Sequence, residues 1–177
     1  MTDFRTVTRP ELLEDGDDHR FRALIYDILA FSTRLDAVRN GLGALMGLAG
    51  PQYSVLITVK MLEETGNTGI SDVADYLHVS GAFVTSEVNK LLKQGLVTKV
   101  VNANDRRRVS LSLTDEARQR LQKLSEYQRP INDILFAGVA RDEFFVLSSV
   151  LPRLVTDGDN ALLEIDYLLK RRNSLAG

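Results

Sequence analysis

Residues 80–114 read SGAFVTSEVNKLLKQGLVTKVVNANDRRRVSLSLT, and a change of period inside this stretch decides the fold. Up to Lys93 the apolar residues Val84, Val88, Leu91 and Leu92 recur at helical spacing. The other side carries Ala82, Thr85, Ser86, Asn89 and Lys93, each small, polar or cationic. Ser80 is placed to cap this helix, because its hydroxyl accepts a free N–H of the first turn. Gly95 follows the last turn, where a left-handed backbone suits glycine. Beyond it, residues 96–101 are β-rich, and Val109, Leu111 and Leu113 alternate with Ser110 and Ser112. The polar run 102–108 joins the two as a hairpin turn. Thr114 then caps a further helix, with Asp115 and Glu116 in its first turn complementing the dipole.

On the N-terminal side, Ile70, Val73, Ala74 and Leu77 form the narrow stripe of a short helix, connected to the next by His78 and Val79. Pro51 suits the first turn of a helix with Tyr53, Leu56, Ile57 and Leu62 on its apolar face, ending at the loop 66–69. From Phe21 to Leu42 the apolar residues again keep a helical period over five turns or more. Residues 1–19 make a polar arm, either a short turn at Pro10 or an acid-rich disordered segment. On the C-terminal side, Leu121, Leu124, Ile131 and Leu135 continue a helix that Pro130 is predicted to kink or split. Phe144 to Leu154 form another, ending near Pro152–Asp157, and a last helix runs from about Asp159 to Arg172.

The order helix, short helix, helix, hairpin, long helix is that of a winged helix-turn-helix. The run Asp105-x-Arg107-x5-Leu113-Thr114 resembles the D-x-R-x5-L-T signature of the MarR family of transcriptional regulators. Gly50-Pro51-Gln52-Tyr53-Ser54-Val55-Leu56 is similar to that family's T-P-Q-Y-x-V-L helix start, with Gly50 in place of Thr. Val79-Ser80 through Val84-Thr85, followed by Leu91-Leu92-Lys93-Gln94-Gly95-Leu96-Val97, resembles its recognition helix and the step into the wing. Residues 138–143 resemble the loop before its penultimate helix. The resemblance implies a homodimer held by the first and last two helices, a palindromic operator in double-stranded DNA, and in many members repression relieved by a small aromatic or anionic effector. Two departures stand out. Residues 156–177 form a longer tail than is usual, and Gly81-Ala82-Phe83 stands where a basic residue is common.

The predicted fold is therefore mainly α with a small β-hairpin: a winged helix-turn-helix domain plus a helical dimerisation region. Its parts are a polar arm (1–19), an N-terminal dimerisation helix (20–50), the DNA-binding domain (51–114) and C-terminal dimerisation helices (115–177). The apolar side chains of 20–45 and 140–172 exceed what one small winged helix covers, so a second copy is the natural partner. An intrachain bundle is the competing reading.

A recognition helix enters a major groove about 12 Å wide, so its outer face must lack bulk. Ala82, Thr85, Ser86 and Asn89 meet that demand, and Asn89 has the groups to read adenine. Ser80 sets helix N–H groups near a phosphate. Lys90 and Lys93 add charge. In the hairpin, Arg106 is predicted to enter a narrow minor groove, Arg107 to contact phosphate or pair with Asp105 and hold the tip, and Arg108 to meet backbone phosphate. The bland alternatives are a solvated helix face and an exposed charged turn. The six bases Lys90, Lys93, Lys99, Arg106, Arg107 and Arg108 face only Glu87 and Asp105 within residues 80–108, although the 177-residue chain has a net charge of −2. That acidic balance motivates a second reading, a winged-helix interaction module without operator binding.

Other chemistries find little support. The chain has no cysteine and only His19 and His78, which disfavours thiolate chemistry and a histidine metal site. No nucleotide-binding glycine loop, G-x-S-x-G or H-E-x-x-H occurs, so neither an enzyme nor a cofactor is expected. No apolar run approaches the ~20 residues that span a bilayer. The N-terminus lacks an apolar signal core, so a soluble cytoplasmic protein is expected. Phe21, Tyr26, Phe31, Tyr53 and Tyr127 have the spacing of core residues; Arg34 and Arg39 are candidates to neutralise an anionic effector.

Overall fold

The structure, a computed structural model, describes residues 4–66, 68–101 and 109–175. A 3-10 turn at Pro10–Leu12 precedes α1 (His19–Leu45), α2 (Gly50–Glu63), α3 (Ile70–Leu77) and α4 (Gly81–Lys93). Strands β1 (Val97–Val101) and β2 (Val109–Leu113) pair antiparallel, with Val97 opposite Leu113 and Lys99 opposite Leu111. Helices α5 (Asp115–Leu135) and α6 (Arg141–Leu175) complete the chain. Contacts divide it into two units, Met1–Arg129 and Pro130–Gly177.

In the first unit α2 is the central element, touching α1, α3, α4 and β2. Its Tyr53, Val55, Leu56 and Val59 are buried, as are Val73 of α3 and Val84, Val88 and Leu91 of α4. Removing each such side chain from water contributes about 1.5–3 kcal/mol. Leu96, Val97, Leu111 and Leu113 close the core from the hairpin, and Leu111 N–H donates to the Thr68 carbonyl at 3.0 Å. The predicted apolar faces of α3 and α4 are thus the faces that pack.

Local signals end the helices where the sequence places them. Ser80 Oγ accepts from Phe83 N–H at 3.2 Å, and Thr114 Oγ1 accepts from Ala117 N–H at 3.1 Å. Gly95 has φ +68°, and the N–H groups of Leu96 and Gly95 return to the carbonyls of Leu91 and Leu92. Gly43 is favoured for another reason. A Cβ there would lie 3.0 Å from Tyr53 Cβ and 3.1 Å from the Leu48 carbonyl, where α1 meets α2.

The polar arm is tied down. Asp18 is buried and accepts from the Thr6 backbone N–H at 2.5 Å and from its hydroxyl at 2.7 Å, and it pairs with Arg22 at 3.0 Å. The backbone and hydroxyl bonds from Thr6 hold its carboxyl below the usual aspartate range against the effect of burial, with Arg22 assisting.

Three expectations need correction. The break near Pro152–Asp157 does not occur, and α6 runs unbroken for 35 residues. Pro152 lies within this helix without ending it. Pro130 likewise lies inside a continuous α5 rather than splitting it, although the two units divide at that residue. Of the aromatics read as core, only Tyr53 is; Tyr26, Phe31 and Tyr127 are exposed and Phe21 is half-buried. Helical periodicity finds the apolar face but does not say whether the same chain covers it.

Candidate nucleic-acid interface

The outward face of α4 consists of Ala82, Thr85, Ser86, Asn89 and Lys93, all exposed. The face is held in place by its opposite side, where Val84, Val88 and Leu91 are fully buried. Thr85 Oγ1 donates to the Gly81 carbonyl at 2.8 Å, so its hydroxyl hydrogen is already used within the helix. Ser80 sits at the helix start with its N–H partner satisfied.

Lys90 lies toward one flank and pairs with Glu87 at 2.6 Å. Glu87 was not singled out by sequence reasoning. It is 5% exposed, and among the described residues its Oε2 is buried without a hydrogen-bond partner. A charged residue on a helix otherwise reads as solvated; the signal for its burial is its position beside Val84, Val88 and Leu91. Lys93 and Lys99 remain exposed, on α4 and on β1. Asp105, Arg106, Arg107 and Arg108 lie outside the described residues.

The root of the hairpin has a second unanticipated residue. Glu63, at the end of α2, accepts from Ser112 Oγ at 2.7 Å, from Leu113 N–H at 2.9 Å and from Arg118 of α5. Burial raises its carboxyl pKa, but these hydrogen bonds and the Arg118 charge outweigh it, leaving the group below the usual glutamate range.

Beside α4 a cleft of about 650 Å³ opens among α1, α2 and α3, with Arg39, Ser54, Ile57, Tyr76 and Phe83 on its walls. Arg39 donates to Ser54 Oγ at 3.1 Å and stacks 5.7 Å from the Tyr53 ring centroid. Arg34 instead turns back to the Ala30 carbonyl. Phe83 is the residue of α4 that reaches this cleft. Among the described residues no three His, Asp or Glu side chains gather as metal ligands, and no single helix is long and apolar enough to cross a membrane.

The two helices, capped turn and hairpin form a winged helix-turn-helix, and the MarR family model matches residues 46–108, the segment that contains them. That segment, less than half of the chain, is what is similar to the MarR family. The transcriptional regulator FarR of Neisseria gonorrhoeae is 27% identical over 96 residues, 54% of this chain and 66% of FarR. The transcriptional repressor MdtR of Bacillus subtilis is 23% identical over 99 residues, 56% of this chain and 64% of MdtR. The chain thus matches just under two thirds of the length of these curated relatives. Its fold is similar to that of a mutant MarR from E. coli complexed with operator DNA, with TM-score 0.63 and 18% identity, covering 76% of this chain and 95% of that one. This similarity agrees with the resemblance carried by the wing motif and the α2 and α4 strings.

Proposed function

We propose that this protein is a cytoplasmic transcriptional repressor that binds a palindromic operator as a homodimer. The observation that carries the reading is the outer face of α4. Four exposed residues without bulk, Ala82, Thr85, Ser86 and Asn89, stand with Lys93 on a helix whose inner residues Val84, Val88 and Leu91 are fully buried, a face narrow enough for a major groove. Ser80, Thr85, Ser86 and Asn89 supply hydrogen-bonding groups, Ala82 a methyl, and Lys93 phosphate contact. Lys90 contributes less, being paired with Glu87. By sequence, Asp105, Arg106, Arg107 and Arg108 between β1 and β2 are proposed to complete the interface. The repressor role is supported by the likeness to MdtR.

Dimer formation is supported by the apolar residues left uncovered within each unit. Leu24, Tyr26 and Leu29 of α1 and Leu151, Leu162 and Leu163 of α6 are each at least half exposed. A two-fold dimer places two α4 helices on half-sites about 34 Å apart. The cleft holding Arg39 and Phe83 suits a small aromatic or anionic effector. Its occupation would press on α4 through Phe83 and so bias the spacing of the two recognition helices.

Fluorescence anisotropy on a labelled fragment from beside the gene tests this. The logarithm of the affinity should fall with log salt by about 0.9 per phosphate contact. The absence of any binding at low salt would sink operator recognition and favour the interaction-module reading.

A further inference from the structure

A second cleft, of about 310 Å³, lies on the first unit beside the base of the hairpin, lined by α2, β2 and α5. Its charged walls are all cationic: Lys60 from α2, and Arg118 and Arg129 from α5. Leu113 and Leu121 give it an apolar lining. Positions 118, 122, 125 and 129 recur at helical spacing, so α5 turns a single face to the cleft. The Ser125 hydroxyl already donates to the Gln122 carbonyl at 2.6 Å, which leaves the cations and the Gln122 amide as the donors here.

These charges are not neutralised. Lys60 and Arg129 are exposed and form no ion pair among the described residues. Arg118 has one carboxylate, Glu63, which it holds through Nη2, so its Nη1 and Nε are left as donors. Three cations against one carboxylate leave a surplus of two positive charges at one small cleft, on a chain whose net charge is −2. Like charges gathered this way repel, and an anion placed among them relieves the repulsion. The surplus matches a phosphomonoester, which carries about −1.5 to −2 at pH 7 and accepts through three oxygens. A carboxylate supplies only one charge. Arginine forks also fit phosphate geometry. The apolar lining suits the organic part of an ester, for which bare phosphate has no counterpart.

We propose that this cleft binds a small phosphomonoester. Lys60 and Arg129 hold the phosphate from the α2 and α5 sides, and Arg118 adds its free donors while keeping Glu63. The organic group lies against Leu113 and Leu121. The site is separate from the cleft of Arg39 and Phe83, stands independently of operator binding, and is tested without DNA.

Calorimetric titration of the full chain with phenyl phosphate, inorganic phosphate and benzoate provides the test. Phenyl phosphate should bind, and should raise the thermal unfolding midpoint as its concentration rises. Inorganic phosphate, without an apolar group, and benzoate, with a single charge, should each bind more weakly. Lys60→Ala and Arg129→Ala should each weaken phenyl phosphate binding by about tenfold or more, the scale of one hydrogen bond to a charged group. Lys60→Arg, which keeps the charge, should retain most of the affinity. Both side chains are exposed, so these variants should fold as the parent does. Lys123→Ala removes an exposed cation from another face of α5 and should leave binding unchanged. No binding of phenyl phosphate would overturn the proposal. So would an affinity indifferent to Lys60→Ala and Arg129→Ala, or an equal loss in Lys123→Ala, which would mean diffuse attraction to a basic surface. Benzoate binding as tightly would overturn the choice of a dianion, and inorganic phosphate binding as tightly would overturn the choice of an ester.

Discussion

Arg118 Nη2 stands 2.8 Å from Glu63 Oε2 and 2.9 Å from Glu63 Oε1, fastening the first turn of α5 to the end of α2. The same carboxylate holds Ser112 and Leu113 of β2, so three elements meet on one charge at the base of the hairpin.

Glu63→Gln should therefore destabilise the fold by about 1–2 kcal/mol at pH 7, the scale of hydrogen bonds to a charged group. Burial opposes the charge at Glu63, but its hydrogen bonds prevail and its folded pKa is depressed. An unfolded glutamate titrates near ~4.3. The contribution is thus complete above that pH and is lost as pH falls through the lower folded value. Urea titrations at pH 7 and at pH 3 should show the gap between wild type and variant narrowing in acid. A gap independent of pH would refute the assignment.

Lys90 and Lys93 should separate stability from DNA affinity. Lys90→Ala leaves the buried Glu87 without its ion pair and should lower stability by about 1–2 kcal/mol, less than for a fully buried pair because Lys90 is half exposed. Lys93→Ala should leave stability within about 0.5 kcal/mol and reduce the salt slope of operator binding by about 0.9. Parallel melting and anisotropy measurements decide between these outcomes, and an exchange of the two phenotypes would contradict the geometry.

Asn89 and Arg106 should differ in kind. Asn89→Ala is expected to relax preference at one base pair by about 1–3 kcal/mol, read from a panel of single-base operator variants. Arg106→Ala is expected to weaken every operator carrying the same flanking A·T tract by a similar amount. An unaltered base profile for Asn89→Ala would count against direct readout.

Two glycines of α1 should respond in opposite directions. At Gly41 an added Cβ meets nothing within 4 Å, so Gly41→Ala should stabilise by about 0.5–1 kcal/mol. At Gly43 it meets Tyr53 Cβ and the Leu48 carbonyl, neither of which is a flexible chain end, so Gly43→Ala should destabilise by about 1–3 kcal/mol. Thermal melts of the two variants compare them directly.

The features legible in the sequence were those with a local cause. Ser80, Gly95 and Thr114 announce helix ends through hydrogen bonds within a few residues of themselves, and they sit where they were expected. The stripes through Val73 and Val88 were equally readable, because the packing faces of short helices follow from period alone. Glu63 and Glu87 were not readable. Their roles depend on residues 50 positions away or on burial that a charged side chain conceals. Pro152 misleads in the other direction: it is a local breaker signal, yet it lies within a continuous α6. Tyr26 and Tyr127 have core spacing yet are exposed, because period marks an apolar face without fixing what covers it.

The bond from Thr85 Oγ1 to the Gly81 carbonyl has a consequence for base preference. With its hydrogen committed one turn back, Thr85 has no proton to offer a guanine or adenine acceptor. It presents a methyl group and an oxygen lone pair, and Ala82 on the same face adds a second methyl. Such a surface fits the C5-methyl of thymine. An operator synthesised with uracil in place of thymine at the positions under this turn should bind more weakly, although every Watson–Crick pair is preserved.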